Sequence, residues 1–450
     1  MAAPPKHEAA RTANAAAATP ATISRQHTFG DLAPWAEPAW YNSLASPYYD
    51  ASHRQLRAAI RSHIDTHILP SSLAWEAAGG APREAALRWA RSGFAFADVP
   101  AAYRPAGFEA VAGIPVGELD VFHLLVMTDE TARVEGGVMI SLAGASVIGC
   151  PPVVNHGTEA QRRRWLPGLF DWSTSFCLGV TEPSGGSDVG NIRTTARRSA
   201  DGSHYVVDGH KKWITGAPWA THMTTAVRTG GPGMGGISLL VIPLASAGVG
   251  LRKIDNSGQN AGGSSWVTLD GVRVPAENLI GDEDRGFGYV MTNFNKERFV
   301  MAVASVRKAR TCLSTALRYA HDRETFGRPL IANQVIKHKF SELARHIEAQ
   351  YAFLEQIAYH VQQTSWQNPD VASRIALAKV SAGRVQEMAI REAQQVLGGA
   401  GYQKGGVGGA VEQQSRDFVM QKVGGGSEEI LLDLALRQEL ARSKKLGARL

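Results

Sequence analysis

The stretch Val180-Thr181-Glu182-Pro183-Ser184-Gly185-Gly186-Ser187-Asp188 sits at a change of texture in the chain. Upstream of it, apolar residues recur with helical spacing. Leu56, Ile60, Ile64 and Ile68 fall on one face of a helix over 53–68, which Pro70 is expected to end. Further helical runs cover 83–91, 119–135 and 159–169. Downstream, short β-branched runs at 203–208, 223–228, 237–243 and 266–274 are divided by Gly, Asp and Asn, the pattern of an antiparallel β-domain. After Gly286 helices return over 289–323, 335–364, 370–397 and 428–443, and four long amphipathic segments predict a bundle. The expected class is α+β: a tail over 1–29, a helical domain over 30–175, a β-domain over 176–285, a four-helix bundle over 286–443 and a tail over 444–450.

Composition agrees with a folded chain of that size. At roughly 150 residues per domain, 450 residues suggest about three domains, and 44% hydrophobic residues can build their cores. The net charge of +6 is spread along the chain, which suits anionic small molecules and argues against a nucleic-acid partner. Cys150, Cys177 and Cys312 are isolated, so neither a disulfide scaffold nor a thiolate zinc site is expected. The histidines have no metal-ligand spacing, and no metal is expected. Apolar runs such as 237–244 fall far short of the ~20 residues of a membrane span.

The ends carry possible addresses. Residues 1–29 hold Lys6, Arg11 and Arg25 against Glu8, but Pro4, Pro5 and Pro20 interrupt the amphipathic helix of a mitochondrial presequence. Ala448-Arg449-Leu450, after Lys444 and Lys445, resembles the Ser-Lys-Leu type of peroxisomal signal. The expectation is a peroxisomal protein in a eukaryotic source and a cytoplasmic one otherwise.

Three segments carry chemistry. The opening stretch reads as a strand-end loop whose hydroxyls and backbone N–H groups could hold a phosphate or the polar rim of a ring. Gly209-His210-Lys211-Lys212-Trp213-Ile214-Thr215 follows, and on an extended strand Trp213 and Thr215 share a face. An indole there could stack on a flat cofactor beside a hydrogen-bonding hydroxyl; an ordinary turn and a core Trp is the other reading. By contrast Gly231-Pro232-Gly233-Met234-Gly235-Gly236 spells a dinucleotide motif but precedes a strand, so a hairpin loop is expected. The second segment is Arg323-Glu324-Thr325-Phe326-Gly327-Arg328-Pro329-Leu330, leading to Gln334. The third is Gln394-Gln395-Val396-Leu397-Gly398-Gly399-Ala400-Gly401-Tyr402, followed by Arg416-Asp417.

In this order and spacing, from about Glu118 to Arg437, the motifs resemble those of the acyl-CoA dehydrogenase flavoproteins. The resemblance implies a homotetramer, or at least a dimer, with one FAD per subunit and a place in fatty acid metabolism. Thr181, Trp213 and Thr215 would contact the flavin, with Ser187 between flavin and thioester and Leu178 at a pocket wall. Arg323, Thr325, Phe326 and Gln334 would reach the FAD of a neighbouring subunit, with Gln395 and Gly399 along its adenosine. Ser427 and Glu429 would approach the flavin from the last helix. Asn295, Arg298 and Gly425 would face substrate.

Dehydrogenation of a thioester needs a carboxylate to remove the α-proton while the β-hydride leaves to flavin N5. Many family members place a Glu where this chain has Gly425. The isovaleryl and long-chain members place it on the first bundle helix instead, and Asn293-Phe294-Asn295-Lys296-Glu297-Arg298 matches that segment, with Glu297 as the base. At about 100° per residue, Val290, Phe294, Glu297, Met301 and Ala304 lie along one line, so the carboxylate interrupts an apolar stripe.

The reading is therefore FAD-dependent α,β-dehydrogenation of an acyl-CoA or related acyl thioester. A desaturase of a carrier-bound chain is an alternative. So is an oxygenase or oxidase on the same fold, which would not need Glu297. Electrons would pass to an electron-transfer flavoprotein or, in a peroxisome, to oxygen.

Overall fold

The computed structural model describes residues 28–448; the two address segments lie outside it, apart from Ala448. The expected N-terminal tail ends sooner than residue 29. The Phe29 N–H donates to Asn42 Oδ1 at 2.8 Å, and the Arg57 guanidinium lies 3.7 Å from the Phe29 ring centre.

The N-terminal domain holds helices α1 (Ala39–Asn42), α2 (Ala51–His67), α3 (Leu69–Ala78), α4 (Arg83–Arg91), α5 (Val121–Thr131), α6 (Val138–Ala143), α7 (Ser146–Gly149), α8 (Pro151–His156) and α9 (Glu159–Trp165), with a short hairpin β1 (Ala110–Val111) and β2 (Ile114–Pro115). α2 begins at a capping box, Asp50 accepting from the Ser52 and His53 N–H groups, and its stripe Leu56, Ile60 and Ile64 is fully buried. α2 ends at His67, ahead of Pro70 as expected, and Pro70 then opens a new helix. It lies in the first turn of α3, where a missing N–H costs no hydrogen bond.

The sheet contains β3 (Phe176–Gly179), β4 (Thr195–Arg198), β5 (His204–Ile214), β6 (His222–Arg228), β7 (Ile237–Pro243), β8 (Val249–Lys253), β9 (Ser265–Pro275) and β10 (Leu279–Ile280), in the order β10-β7-β6-β4-β5-β9-β8 with β3 also on β6. It is mixed, not purely antiparallel. β3 runs parallel to β6 from Phe176↔His222 to Gly179↔Thr225, and β4 meets β6 parallel at Thr195↔Arg228. Period-two alternation reports which face a side chain takes and is silent on strand direction. The glycine-rich run 231–236 does join two antiparallel strands, β6 and β7, and Arg228 holds its Gly231 and Gly233 carbonyls. One sheet face packs Phe176, Leu239 and Val241 on the N-terminal helices; the other buries Tyr205, Val207, Leu240 and Ile242.

The C-terminal domain has α10 (Gly286–Asp322), the hairpin β11 (Glu324–Thr325) and β12 (Arg328–Pro329), then α11 (Gln334–Gln363), α12 (Val371–Leu397), α13 (Gly409–Val423) and α14 (Glu428–Lys445). It has five helices where four were expected, the addition being α13. α5 shares a core with α10, α11 and α12 through Phe122, Leu125 and Val126. Buried ion pairs seal that joint: Arg61 with Glu37 at 2.6 Å and Glu130 at 2.7 Å, and Arg307 with Glu37 at 2.8 Å and with Asp129. Two carboxylates tie the domains together. Glu76 of α3 accepts the Gly137, Asn260 and Ala261 N–H groups, and Asp417 of α13 accepts those of Gly136 and Gln259.

Candidate active site

The turn after β3 is held from beneath. Glu182 is buried and accepts the Arg193 and Thr194 N–H groups at 2.6 and 2.9 Å. It also accepts Lys211 Nζ at 2.8 Å, and Lys211 donates to the Val180 carbonyl as well. Burial lowers the Lys211 ammonium to about 8, with Glu182 opposing the shift. Lys212 N–H donates to the Thr181 carbonyl at 2.9 Å, so the Thr181 turn and the Trp213 strand end form one unit.

Trp213 is not on a regular strand. The β5–β9 register slips between Lys211↔Val267 and Ile214↔Ser265, and Trp213 takes φ 64° there. The shared-face argument for Trp213 and Thr215 therefore fails, because the bulge inserts a residue and β5 ends at Ile214. What the bulge provides is a half-exposed indole on a backbone that non-glycine residues avoid, with Lys212 Nζ 4.6 Å from its ring.

Glu297 lies on the inner side of α10. Burial pushes its carboxyl up to about 8, against the pull of Arg298. Asn293, one turn earlier, donates from Nδ2 to Glu297 Oε1 at 2.5 Å. Arg298 is buried and donates from Nε to the Gly425 carbonyl at 2.7 Å. Lys379 of α12 donates to the Gly426 and Lys422 carbonyls at 2.9 and 2.7 Å. Gly425 has φ 66°, and a Cβ there would meet Met301 Sδ at 3.1 Å and Arg298 Cγ at 3.5 Å. Gly425 thus packs against Arg298 and Met301 of α10, the next residue and one turn on from Glu297.

The other expected residues fall in two places. Leu178 lies on β3 opposite Thr224, and Ser187 is exposed at the turn near Thr181. Ser427 occupies the N-cap position of α14 without a side-chain capping hydrogen bond, and Glu429 lies exposed in the helix's first turn. Asn295 turns away from the corner, its amide donating to the Trp366 carbonyl at 3.1 Å. Arg323, Thr325, Phe326, Gln334, Gln395 and Gly399 gather at the opposite end of the bundle. Lys339, near the start of α11, pairs there with Glu392, near the end of α12. At about 1.5 Å per residue, Arg323 lies about 39 Å along α10 from Glu297.

Both places fit parts of a flavin dinucleotide. Near β3 the chain offers the exposed Trp213 face and the partly exposed Thr181; Thr215, just past the bulge, is partly buried and is not set beside Trp213 by the strand. At the far end Arg323 is exposed, Phe326 stands out at φ 53°, and Thr325 Oγ1 is shielded from solvent with no partner among the described residues. Added Cβ atoms at Gly398 and Gly399 would meet nothing within 4 Å, leaving the backbone open to a close approach.

Asn293, Glu182, Lys211 and Lys379 escape a motif reading; a buried Glu-Lys pair in adjoining motifs was the available signal for two of them. Among the described residues one group could hold a metal: His53, Asp120 and His123, within 4.8 Å of one another. Every ring nitrogen there is already engaged, by Asp50, Asp120 or Ser52.

The chain matches three family models: acyl-CoA dehydrogenase N-terminal domain over residues 50–172, middle domain over 177–272 and C-terminal domain over 284–440. It is 41% identical over 419 residues to acyl-CoA dehydrogenase AFT10-1 of Alternaria alternata, covering 91% of this chain and 96% of that one. It is 27% identical to a mitochondrial isovaleryl-CoA dehydrogenase of Oryza sativa subsp. japonica, covering 87% and 91%. The crystal structure of an acyl-CoA dehydrogenase from Geobacillus kaustophilus superposes with a TM-score of 0.80 at 26% identity, covering 88% of this chain and 100% of that one.

Proposed function

We propose that this chain, which belongs to the acyl-CoA dehydrogenase family, uses Glu297 to remove the α-proton as an acyl-CoA becomes its α,β-unsaturated thioester. It is an FAD-dependent oxidoreductase. When bound, FAD supplies the acceptor of the β-hydride at flavin N5. The observation that carries the reading is the Glu297 carboxyl on α10, hydrogen-bonded to Asn293, pushed up by burial and next to the Arg298 that holds the Gly425 loop. A base with its pKa near working pH combines sufficient basicity with a sufficient deprotonated fraction.

The other residues bind and orient. Trp213 would give the ring a flat face, and Thr181 and Thr215 would offer hydroxyls to its edge. Ser187 would lie between ring and thioester, and Arg298 fixes the Gly425 loop by holding its carbonyl. The far group cannot serve the same cofactor, because about 39 Å along α10 exceeds an FAD's reach. Arg323, Thr325 and Gln395 therefore act on the cofactor of a second subunit, in at least a dimer and in the tetramer implied by the motifs.

Anaerobic mixing of the FAD-loaded protein with a panel of acyl-CoAs tests the activity. Bleaching of the flavin band with formation of the enoyl thioester is expected; an oxidised flavin across the whole panel would contradict it. Oxygen uptake by the substrate-reduced protein distinguishes oxygen from an electron-transfer flavoprotein as the acceptor.

A further inference from the structure

We infer that Asn293 is a positioning residue for the base, presenting one oxygen of Glu297 to the substrate and favouring its charged form; this rests on Glu297 being that base. Asn293 and Glu297 are four residues apart on α10 and so lie on one face. Asn293 is 7% exposed, with Nδ2 at 2.5 Å from Glu297 Oε1 and 3.4 Å from the Ile148 carbonyl of α7. The Ile148 carbonyl can only accept, and so can Glu297 once ionised, so in the charged state only the NH2 end of the amide satisfies both. Oε1 is thereby occupied and Oε2 is left to take the proton. A donor to a carboxylate stabilises the ionised form, opposing the upward push of burial. Asn293 thus keeps a carboxyl that needs an apolar seat from becoming too weak an acid to ionise.

The other charged groups of this corner are arranged around different partners. Arg298, beside Glu297, bonds the Gly425 carbonyl and pulls the carboxyl downward. Lys379 of α12 holds the Gly426 carbonyl and faces Glu428 of α14. Lys296 pairs with Asp98 at 2.5 Å. None of them donates a hydrogen bond to Glu297; Asn293 does.

The test uses the FAD-loaded protein carrying Asn293→Leu, which keeps the side chain's size without the donor, and Asn293→Ser, which keeps a shorter donor. In the absence of substrate, infrared difference spectroscopy on protein with labelled glutamate follows the protonated carboxyl against pH. With substrate, stopped-flow follows flavin reduction over the same range. Asn293→Leu should move both titrations upward by about one pH unit. Reduction near neutral pH should fall by about tenfold with acyl-CoA affinity kept, and Asn293→Ser should shift less than Asn293→Leu. Unshifted titrations in Asn293→Leu would overturn the inference, as would a loss of rate that is equal at every pH. The substrate-free titration reads the Asn293 contact whatever Glu297→Gln does to turnover, so failure of the base assignment is recognised separately.

Discussion

At Glu297, burial and hydrogen bonding act in opposite directions on one carboxyl. Burial lifts it to about 8, while Arg298 and Asn293 support the charge it must carry to accept a proton. At Gly425 the backbone has φ 66°, a region costing a non-glycine residue about 1–2 kcal/mol. Met301 Sδ already lies 3.1 Å from where a Cβ would be. A carboxylate at 425 therefore has neither an easy backbone nor an empty seat. We predict that Gly425→Glu placed in a Glu297→Gln background fails to restore flavin reduction by any acyl-CoA that the parent oxidises. Recovery of the parent rate would show that the loop yields readily and that the two positions are interchangeable. Glu297 is singled out in the sequence by its match to the isovaleryl and long-chain members, with a carboxylate interrupting an apolar stripe as the supporting sign. Asn293 is not, since an amide on that stripe looks like any half-buried polar residue until its partner is seen.

The elements were legible where pattern and packing agree. α2 and α10 declared themselves by stripes, and the burial of Leu56, Ile60 and Ile64 follows from them. α13 did not. It opens Gly409-Ala410-Val411-Glu412-Gln413-Gln414, and its buried polar face reads as a loop until Gln413, Gln414 and Asp417 find their partners. The parallel pairing of β3 with β6 and the bulge at Trp213 were likewise hidden, because both are set by contacts between distant segments. The staple beneath that bulge has a measurable consequence. Removing Lys211 leaves Glu182 buried without its counter-charge, which typically costs about 3–5 kcal/mol. Lys211→Met should lower the thermal midpoint and the FAD content together, and adding Glu182→Gln should recover part of the loss. If Lys211→Met unfolds at the parent temperature with full FAD, the pair does not hold the turn.

Across the whole molecule, the residues proposed for chemistry fall at two distant points: around Glu297 on α10 and at the hairpin end of the bundle. Family motifs singled out both groups of residues, and about 39 Å of α10 lies between them, which is the ground for proposing a cofactor shared between subunits. Assembly and cofactor retention should therefore fail together. Arg323→Ala should lower FAD occupancy and the mass seen by light scattering, whereas a fully flavinylated monomer would contradict a shared site. The central claim is chemical, and Glu297→Gln tests it most directly because it preserves shape and hydrogen bonding while removing the proton acceptor. With FAD and acyl-CoA bound, single-turnover flavin reduction by a substrate of the parent enzyme should slow by at least about a hundredfold, the low end for loss of a general base. Reduction at the parent rate would show that another group takes the α-proton.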